Sequence, residues 1–157
     1  MRHGIELARR GARRCVGVDV AAAMIDIARR EATMAGVATP CEWAVSDFLS
    51  CSGADRFDAV VAMGYFDYLE EPLPHLARMI GHPRGRVFAS FPKRWTLRTG
   101  LRVVRFKLAV GFVRFYSRGE VLALFRETGD IACVTLVDLG RDYVAIYDAG
   151  AAVVRAG

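Results

Sequence analysis

The chain has 157 residues, of which 54% are hydrophobic and 25% charged, and its formal net charge at pH 7 is +5. This length and composition predict one globular domain with a sizeable buried core, and they exclude a disordered chain. No apolar run approaches the roughly 18 residues of a membrane-spanning helix and no signal peptide is recognisable. The four cysteines form no CxxC pair, and we expect reduced thiols and a cytoplasmic location. The three histidines are scattered, so we expect no metal site.

Helical and strand-like segments alternate through the first half of the chain. In chain order we predict a helix over 2–10 that ends at Gly11, a strand over 13–19, a helix over 21–35 that ends at Gly36, a short strand over 41–45, a polar loop over 46–56 and a buried strand over 57–63. One face of the second predicted helix carries Met24, Ile25, Ala28 and Ala32. A continuous apolar strand such as 57–63 is typical of a parallel sheet that is covered on both faces.

The second half continues this alternation and then departs from it. The predicted elements are a helix over 70–80, a strand over 86–91, a helix over 98–110, a helix that begins with the capping box Ser117–Glu120 and runs to Thr128, and strands over 131–139 and 141–147. Only Gly140 separates the last two strands, and so short a link requires an antiparallel pair. We predict a flexible tail over 149–157.

The strand over 13–19 ends in an acid, Asp19, and a helix follows at once. An acid at the carboxyl end of a parallel strand, near the switch point of an open α/β sheet, can accept hydrogen bonds from two ribose hydroxyls. The alternative function for Asp19 is a helix N-cap, which Asp also suits. The position therefore predicts a nucleoside-cofactor fold.

Eight basic residues and no acidic residue lie between Lys93 and Gly119. So local a positive field favours an anionic substrate or surface over a general nucleic-acid role. We interpret 93–116 as a basic insert that covers the acceptor site. Its alternatives are a solvated helix face or, because aromatic residues interleave with the arginines, peripheral contact of 98–116 with an anionic membrane.

The order of these segments resembles the class I S-adenosylmethionine-dependent methyltransferase family. The residues that carry the resemblance are 2–12, Val16–Met24, Ser46-Asp47-Phe48 and Phe57–Leu69. The resemblance covers most of the chain and is sharp over 2–69. It implies an α/β, Rossmann-like, mostly parallel sheet with helices on both faces and a C-terminal antiparallel strand pair, within one domain over 1–148.

The resemblance also implies the residues of a site. The implied cofactor is S-adenosylmethionine, with Asp19 on the ribose and Asp47 on the adenine amino group; the full set of cofactor contacts is Asp19, Val20, Met24, Asp47, Phe48, Met63 and Gly64. Tyr65, Asp67 and Tyr68 are the candidates for the catalytic, substrate-facing side, with Asp67 a candidate general base. Asp47 could instead be an ordinary turn residue, and 65–68 could be a packed loop. The implied acceptor is a small or lipid-like molecule that can be anionic.

The chain departs from the family pattern at its beginning. The family's first strand and glycine-rich GxGxG loop would precede Arg2, so the strands over 13–19 and 57–63 would each have an unpaired edge or would pair with each other. Unpaired buried amides cost roughly 1–3 kcal/mol each, and exposed apolar edges favour self-association. We therefore expect an N-terminally truncated fragment with the first strand missing, which alone binds the cofactor weakly.

Two other functions remain open at this point. The first is a non-catalytic remnant of the fold that acts as a binding module. The second is an NAD-dependent oxidoreductase, whose fold also carries an acid after its second strand. The Ser46-Asp47-Phe48 segment, the antiparallel end and the absence of a Tyr-x-x-x-Lys motif argue against the oxidoreductase.

Overall fold

The computed structural model describes residues 1–51, 57–94 and 112–151. The chain divides into two compact units, residues 1–53 and 54–157. Within the described ranges, no helix combines the length and the apolar character that crossing a membrane requires. The predicted helix over 98–110, and most of the basic insert and of the tail, lie outside the described residues.

The first unit is a two-stranded parallel sheet with two helices. Its elements are α1 (Arg2–Arg9), β1 (Cys15–Asp19), α2 (Ala22–Met34) and β2 (Cys41–Val45). β1 and β2 run parallel, in a register that starts with Cys15 opposite Cys41 and ends with Asp19 opposite Val45. Both helices bury small or aliphatic side chains, among them Ile5, Ala8, Ile25, Ala28 and Ala32, at the spacing of one helical face.

Gly17 of β1 allows the two strands of this unit to carry a large aromatic residue. Its register partner is Trp43, and a Cβ placed on Gly17 would collide with the Trp43 ring. The φ angle at Gly17 is not positive, so glycine is required here for space and not for backbone conformation.

The second unit is a four-stranded mixed sheet with two helices. Its elements are β3 (Phe57–Ala62), α3 (Pro72–Gly81), β4 (Pro83–Pro92), α4 (Arg118–Thr128), β5 (Val134–Asp138) and β6 (Asp142–Asp148). The strand order is β3-β4-β6-β5; β3 is parallel to β4, whereas β6 is antiparallel to both β4 and β5. Residues 66–68 and 131–133 form short 3₁₀ turns.

An aromatic cluster fills the core of the second unit. The Phe91 ring lies 4.6 Å from Phe66 and 5.1 Å from Tyr116, centroid to centroid. Phe125 of α4 lies 6.3 Å from Phe91 and 6.1 Å from Tyr147 of β6. All five rings are buried, so this cluster joins the loop after β3, the central strands and α4 into one core.

The α/β fold, the parallel strands and the antiparallel pair at the end were predicted correctly from the sequence. The capping box is present: the Glu120 amide donates to the Ser117 hydroxyl at 3.2 Å, and the Ser117 amide donates to the Glu120 carboxylate at 2.7 Å. Among the described strands, β1 pairs with β2 alone and β3 pairs with β4 alone, so β1 and β3 are each paired along one edge. The missing first strand stays a prediction.

Several predicted boundaries were wrong. Residues 131–133 form a 3₁₀ turn instead of the start of a strand, because the Asp130 carboxylate accepts a hydrogen bond from the Ala132 amide at 2.8 Å and turns the chain there. β3 ends at Ala62 instead of Met63, since the chain turns at Gly64 with a φ of +68°. β4 is longer than predicted and runs over Pro83–Pro92. Of the residues predicted to share one face of α2, Ile25, Ala28 and Ala32 are buried and Met24 is exposed.

Candidate functional site

Asp19 lies at the carboxyl end of β1, where the sequence predicts a ribose-binding acid. Its Oδ1 accepts a hydrogen bond of 2.9 Å from the Ala21 amide. The N-cap of α2 is Ala21 and not Asp19, so the alternative prediction, that Asp19 is the N-cap residue, is wrong. The carboxylate instead closes a turn between the strand and the helix. Among the described residues, Oδ2 of Asp19 receives no hydrogen bond, so this oxygen remains able to accept one.

Asp47 lies two residues after the end of β2, at the same end of the two-stranded sheet as Asp19. Its Oδ2 accepts hydrogen bonds from the Ser50 amide at 3.0 Å and from the Ser50 hydroxyl at 3.1 Å. The two strands end side by side, because Asp19 is the register partner of Val45 and its carbonyl accepts the Ser46 amide at 3.0 Å. Asp47 therefore performs the turn function proposed as its alternative, and it does so with one of its two carboxylate oxygens.

Several apolar side chains near these two acids in the sequence are exposed to solvent. Val20 is 70% exposed, Val45 50% and Met24 44%, while Phe48 is half-buried. In the first unit, the structure thus brings five of the predicted cofactor contacts to one end of the β1–β2 sheet.

Met63 and Gly64 form the turn that follows β3 in the second unit. The Gly64 amide donates a hydrogen bond of 2.8 Å to the Ser90 hydroxyl of β4. The φ of Gly64 is +68°, a conformation that side chains disfavour, so glycine is needed at this turn. Met63 is exposed beside it.

Tyr65 pairs with a histidine that the sequence analysis left unassigned. The Tyr65 hydroxyl lies 2.8 Å from Nδ1 of His75, in the first half of α3. The two rings also meet edge to face, with centroids 5.6 Å apart. A phenol hydrogen-bonded to an imidazole can hold or pass a proton.

A short strap of chain fixes the loop that carries Asp67 and Tyr68; we name residues 114–116 the 114–116 strap. The Arg114 amide donates to the Asp67 carbonyl and its guanidinium donates to the Glu70 carbonyl, both at 2.8 Å. The Tyr116 hydroxyl donates to the Phe66 carbonyl at 3.1 Å. Asp67 is half-buried, whereas Tyr68 is 49% exposed.

The strap forms the C-terminal end of the basic insert, whose N-terminal end is Lys93. Tyr116 pairs with Lys93 in a short parallel bridge, and the Lys93 ammonium contacts both Asp138 oxygens, at 2.7 and 2.8 Å. Arg114 was counted among the charges of a substrate-covering insert, but its guanidinium is engaged with the Glu70 carbonyl. At both described ends of the insert, then, a basic side chain serves as an anchor.

The predicted site residues fall into two groups. Asp19, Val20, Met24, Asp47 and Phe48 lie in the first unit, and Met63, Gly64, Tyr65, Asp67 and Tyr68 follow β3 in the second. Three residues that form hydrogen bonds with the second group or its loop were not predicted from the sequence: His75, Ser90 and Arg114. The one available signal was the Pro72–Pro74 start of α3, which places His75 at the beginning of a helix.

Comparison with known proteins was made by family, by sequence and by structure. The family described as "Methyltransferase domain" matches residues 2–82, which is more than half of the chain. No sequence match to a curated protein was found.

Several solved structures share the fold. Magnesium protoporphyrin IX methyltransferase of Synechocystis, solved with bound SAH, is 15% identical with a TM-score of 0.71, over 92% of this chain and 68% of that one. The N-methyltransferase NodS of Bradyrhizobium japonicum, also with SAH, is 17% identical with a TM-score of 0.63, over 92% and 72%. The S-adenosylmethionine-dependent methyltransferase SibL, in its apo form, is 18% identical with a TM-score of 0.74, over 92% and 46%.

The chain spans between about half and about three quarters of these relatives' lengths. At such low identity the structural likeness establishes the fold alone, and the family match carries the assignment. Both agree with the resemblance seen in the sequence. The chain belongs to the methyltransferase-domain family, whose cofactor is S-adenosylmethionine.

Proposed function

We propose that this chain binds S-adenosylmethionine and transfers its methyl group to a small-molecule acceptor. The observation that carries the proposal is the carboxylate of Asp19, with Oδ1 bound to the Ala21 amide at 2.9 Å and Oδ2 left as an acceptor. The turn fixes the carboxylate at the strand end, so a ribose hydroxyl would meet a group that is already oriented. The exposed Val20 and Val45 beside it offer apolar surface for an adenine ring.

Bound S-adenosylmethionine would supply a methyl group on a sulfonium. The chain would align the acceptor with that methyl group and accept a proton from the acceptor. Alignment of acceptor and methyl group can provide much of the rate enhancement of an in-line displacement. The loop with Tyr65, Asp67 and Tyr68 is the proposed acceptor side. It is fixed through the 114–116 strap, and the hydrogen bond between Tyr65 and His75 gives it a group able to take a proton from a hydroxyl or amine acceptor.

The chemical class of the acceptor is proposed only broadly. The basic run over 93–118 favours an acceptor with negative charge. Two proteins of similar structure are a magnesium protoporphyrin IX methyltransferase and the pyocyanin biosynthetic protein PhzM, which is compatible with a flat or small organic acceptor. A lipid-like acceptor and membrane contact over 98–116 remain part of the same proposal.

The first test is thermal unfolding with S-adenosylhomocysteine, measured for this chain and for a version that carries the in-frame codons upstream of Met1. A ligand at 100 times its dissociation constant adds about 2.7 kcal/mol of stability. We expect a clear rise in Tm in the extended version and a smaller one in this chain. A rise of equal size in both would show that the glycine-rich loop is dispensable, and no rise in either would overturn the cofactor proposal.

Asp19→Asn tests the residue that carries the argument. The amide keeps the hydrogen bond to the Ala21 amide but removes the charge and one acceptor, so we expect the ligand-induced rise in Tm to be lost while the unliganded Tm is nearly unchanged. Asp26→Asn is the matched control, since Asp26 is an exposed acid of the same unit that pairs with Arg29. Equal loss in both variants would contradict a specific function for Asp19.

A second candidate is a binding module that keeps cofactor affinity without turnover. It is distinguished by incubation with labelled S-adenosylmethionine and a panel of phenolic, carboxylic and amine acceptors. Protection by S-adenosylhomocysteine without label transfer would favour the module. NAD serves as the ligand control, and stabilisation by NAD instead would favour the oxidoreductase alternative.

A further inference from the structure

We infer that Cys15 and Cys41 form an oxidisable thiol pair that closes to a disulfide by exchange with a small disulfide such as glutathione disulfide. The two cysteines are the first residues of β1 and β2 and are register partners in the parallel pair. Neighbouring strands lie about 4.8 Å apart, which is inside the range of about 4.4–6.8 Å that Cα atoms of a disulfide occupy. Register partners also place their side chains on the same face of the sheet.

The surroundings hold the two thiols against each other. The Cys15 and Cys41 thiols are close enough to shift each other's pKa, and both are reduced. The Cys15 amide donates to the Pro40 carbonyl at 2.7 Å. Arg14, which directly precedes β1, forms a two-bond ion pair at 2.7 and 3.0 Å with Glu42, which follows Cys41 in β2. These contacts stabilise the register at the strand ends and so keep Cys15 opposite Cys41.

The two thiols differ in access. Cys41 is buried in the cluster with Ile5, Ala8 and Ala32, whereas Cys15 is half-buried at its edge. Burial raises the pKa of both thiols, and the neighbouring Cys41 thiol partly offsets this for Cys15. Cys15 is therefore the thiol that an external reagent meets first, and the fraction of it present as thiolate increases with pH.

The exchange balances in two steps. The Cys15 thiolate attacks one sulfur of glutathione disulfide, forms a mixed disulfide and releases one glutathione thiolate. The Cys41 thiolate then attacks the Cys15 sulfur and releases the second glutathione. The chain loses two protons and two electrons, and one glutathione disulfide becomes two glutathione molecules.

The other two cysteines provide an internal comparison. The Cys133 thiol donates to the Asp130 carboxylate at 3.6 Å, and Cys51 is half-buried in the loop after β2. Within the described residues, neither is a register partner of another cysteine. A disulfide limited to Cys15 and Cys41 is thus a specific consequence of the β1–β2 register.

The test is oxidation of the intact chain with glutathione disulfide, followed by alkylation of the remaining thiols and peptide mass spectrometry. We expect a linked Cys15–Cys41 peptide lighter by two hydrogens, alkylated Cys51 and Cys133, and a higher Tm that returns to its starting value on reduction. Cys41→Ser should stop the reaction at a glutathione adduct on Cys15, and Cys133→Ser should change nothing. Alkylation of all four thiols after oxidation, or a link to Cys51, would overturn the inference, and neither result depends on cofactor binding.

Discussion

The hydroxyl of Tyr116 donates a hydrogen bond of 3.1 Å to the backbone carbonyl of Phe66, although 50 positions separate the two residues. Both side chains are buried in the aromatic cluster of the second unit. This bond fixes the loop after β3 to the 114–116 strap, at the end of the basic insert. The candidate acceptor loop is thus held from two directions, by its own strand and by a distant part of the chain.

Tyr116→Phe should destabilise the second unit by about 1–3 kcal/mol, because it removes a donor and leaves a buried carbonyl without its partner. Equilibrium unfolding in urea measures the change. Tyr143→Phe is the control, since the Tyr143 ring lies under the Lys93 ammonium and this contact survives loss of the hydroxyl. Equal destabilisation by the two variants would contradict the prediction.

The same tyrosine predicts how stability depends on alkaline pH. Burial raises the pKa of Tyr116 to about 12 from its ordinary value of 10. Above pH 10 the unfolded chain loses this proton first, so the stabilisation that the neutral phenol provides is complete below pH 10 and is lost as pH rises through 12. We expect Tm to fall over this interval, and to fall less in Tyr116→Phe. Burial also raises the pKa of Tyr147, so a residual decline should remain in the variant.

Gly17→Ala should destabilise the first unit by roughly 1–3 kcal/mol, as overpacking typically does. The new methyl group would collide with the Trp43 ring, and the ring or the strand must shift. Trp43 fluorescence during urea unfolding reports the effect. Gly81→Ala is the matched control, because a Cβ at Gly81 meets nothing within 4 Å; a Gly17→Ala chain as stable as this control would refute the close contact.

Asp138→Asn should remove an acid-dependent part of the stability of the second unit. The Lys93 ammonium beside Asp138 holds the pKa of that carboxyl below its ordinary value of 3.8. Its contribution is therefore present above pH 3.8 and is lost as pH falls through the lowered pKa. We expect the drop in Tm on acidification to be smaller in Asp138→Asn than in the parent chain, with Asp142→Asn behaving like the parent.

The Tyr65–His75 contact makes a spectroscopic prediction. If the phenol donates to Nδ1, the neutral ring of His75 carries its proton on Nε2, and long-range proton–nitrogen spectra should show this single tautomer. Tyr65→Phe should shift the His75 Nδ1 resonance and leave those of the exposed His3 unchanged. A His75 spectrum that does not respond to the substitution would contradict the hydrogen bond.

Local signals predicted much of this structure. The capping box at Ser117 and Glu120, the glycine stops at Gly11 and Gly36 and the antiparallel pair around Gly140 were all readable, because each depends on residues within a few positions. The family resemblance located the acids at Asp19 and Asp47, but the atoms that bind them locally, the Ala21 amide and Ser50, emerge only from the folded turns. His75, Ser90 and Arg114 were missed because their contacts join elements far apart in the chain.

The bridge between Lys93 and Tyr116 has a consequence for how this protein can change over evolution. Because Lys93 and Tyr116 pair with each other, the residues that flank 95–111 are held side by side, and the sequence between them can be exchanged or resized while both anchor residues stay in place. Each doubling of such a closed segment costs only about 0.6 kcal/mol of closure entropy. A new acceptor preference could therefore be acquired by replacing one contiguous stretch of coding sequence, with the sheet and its aromatic core inherited unchanged.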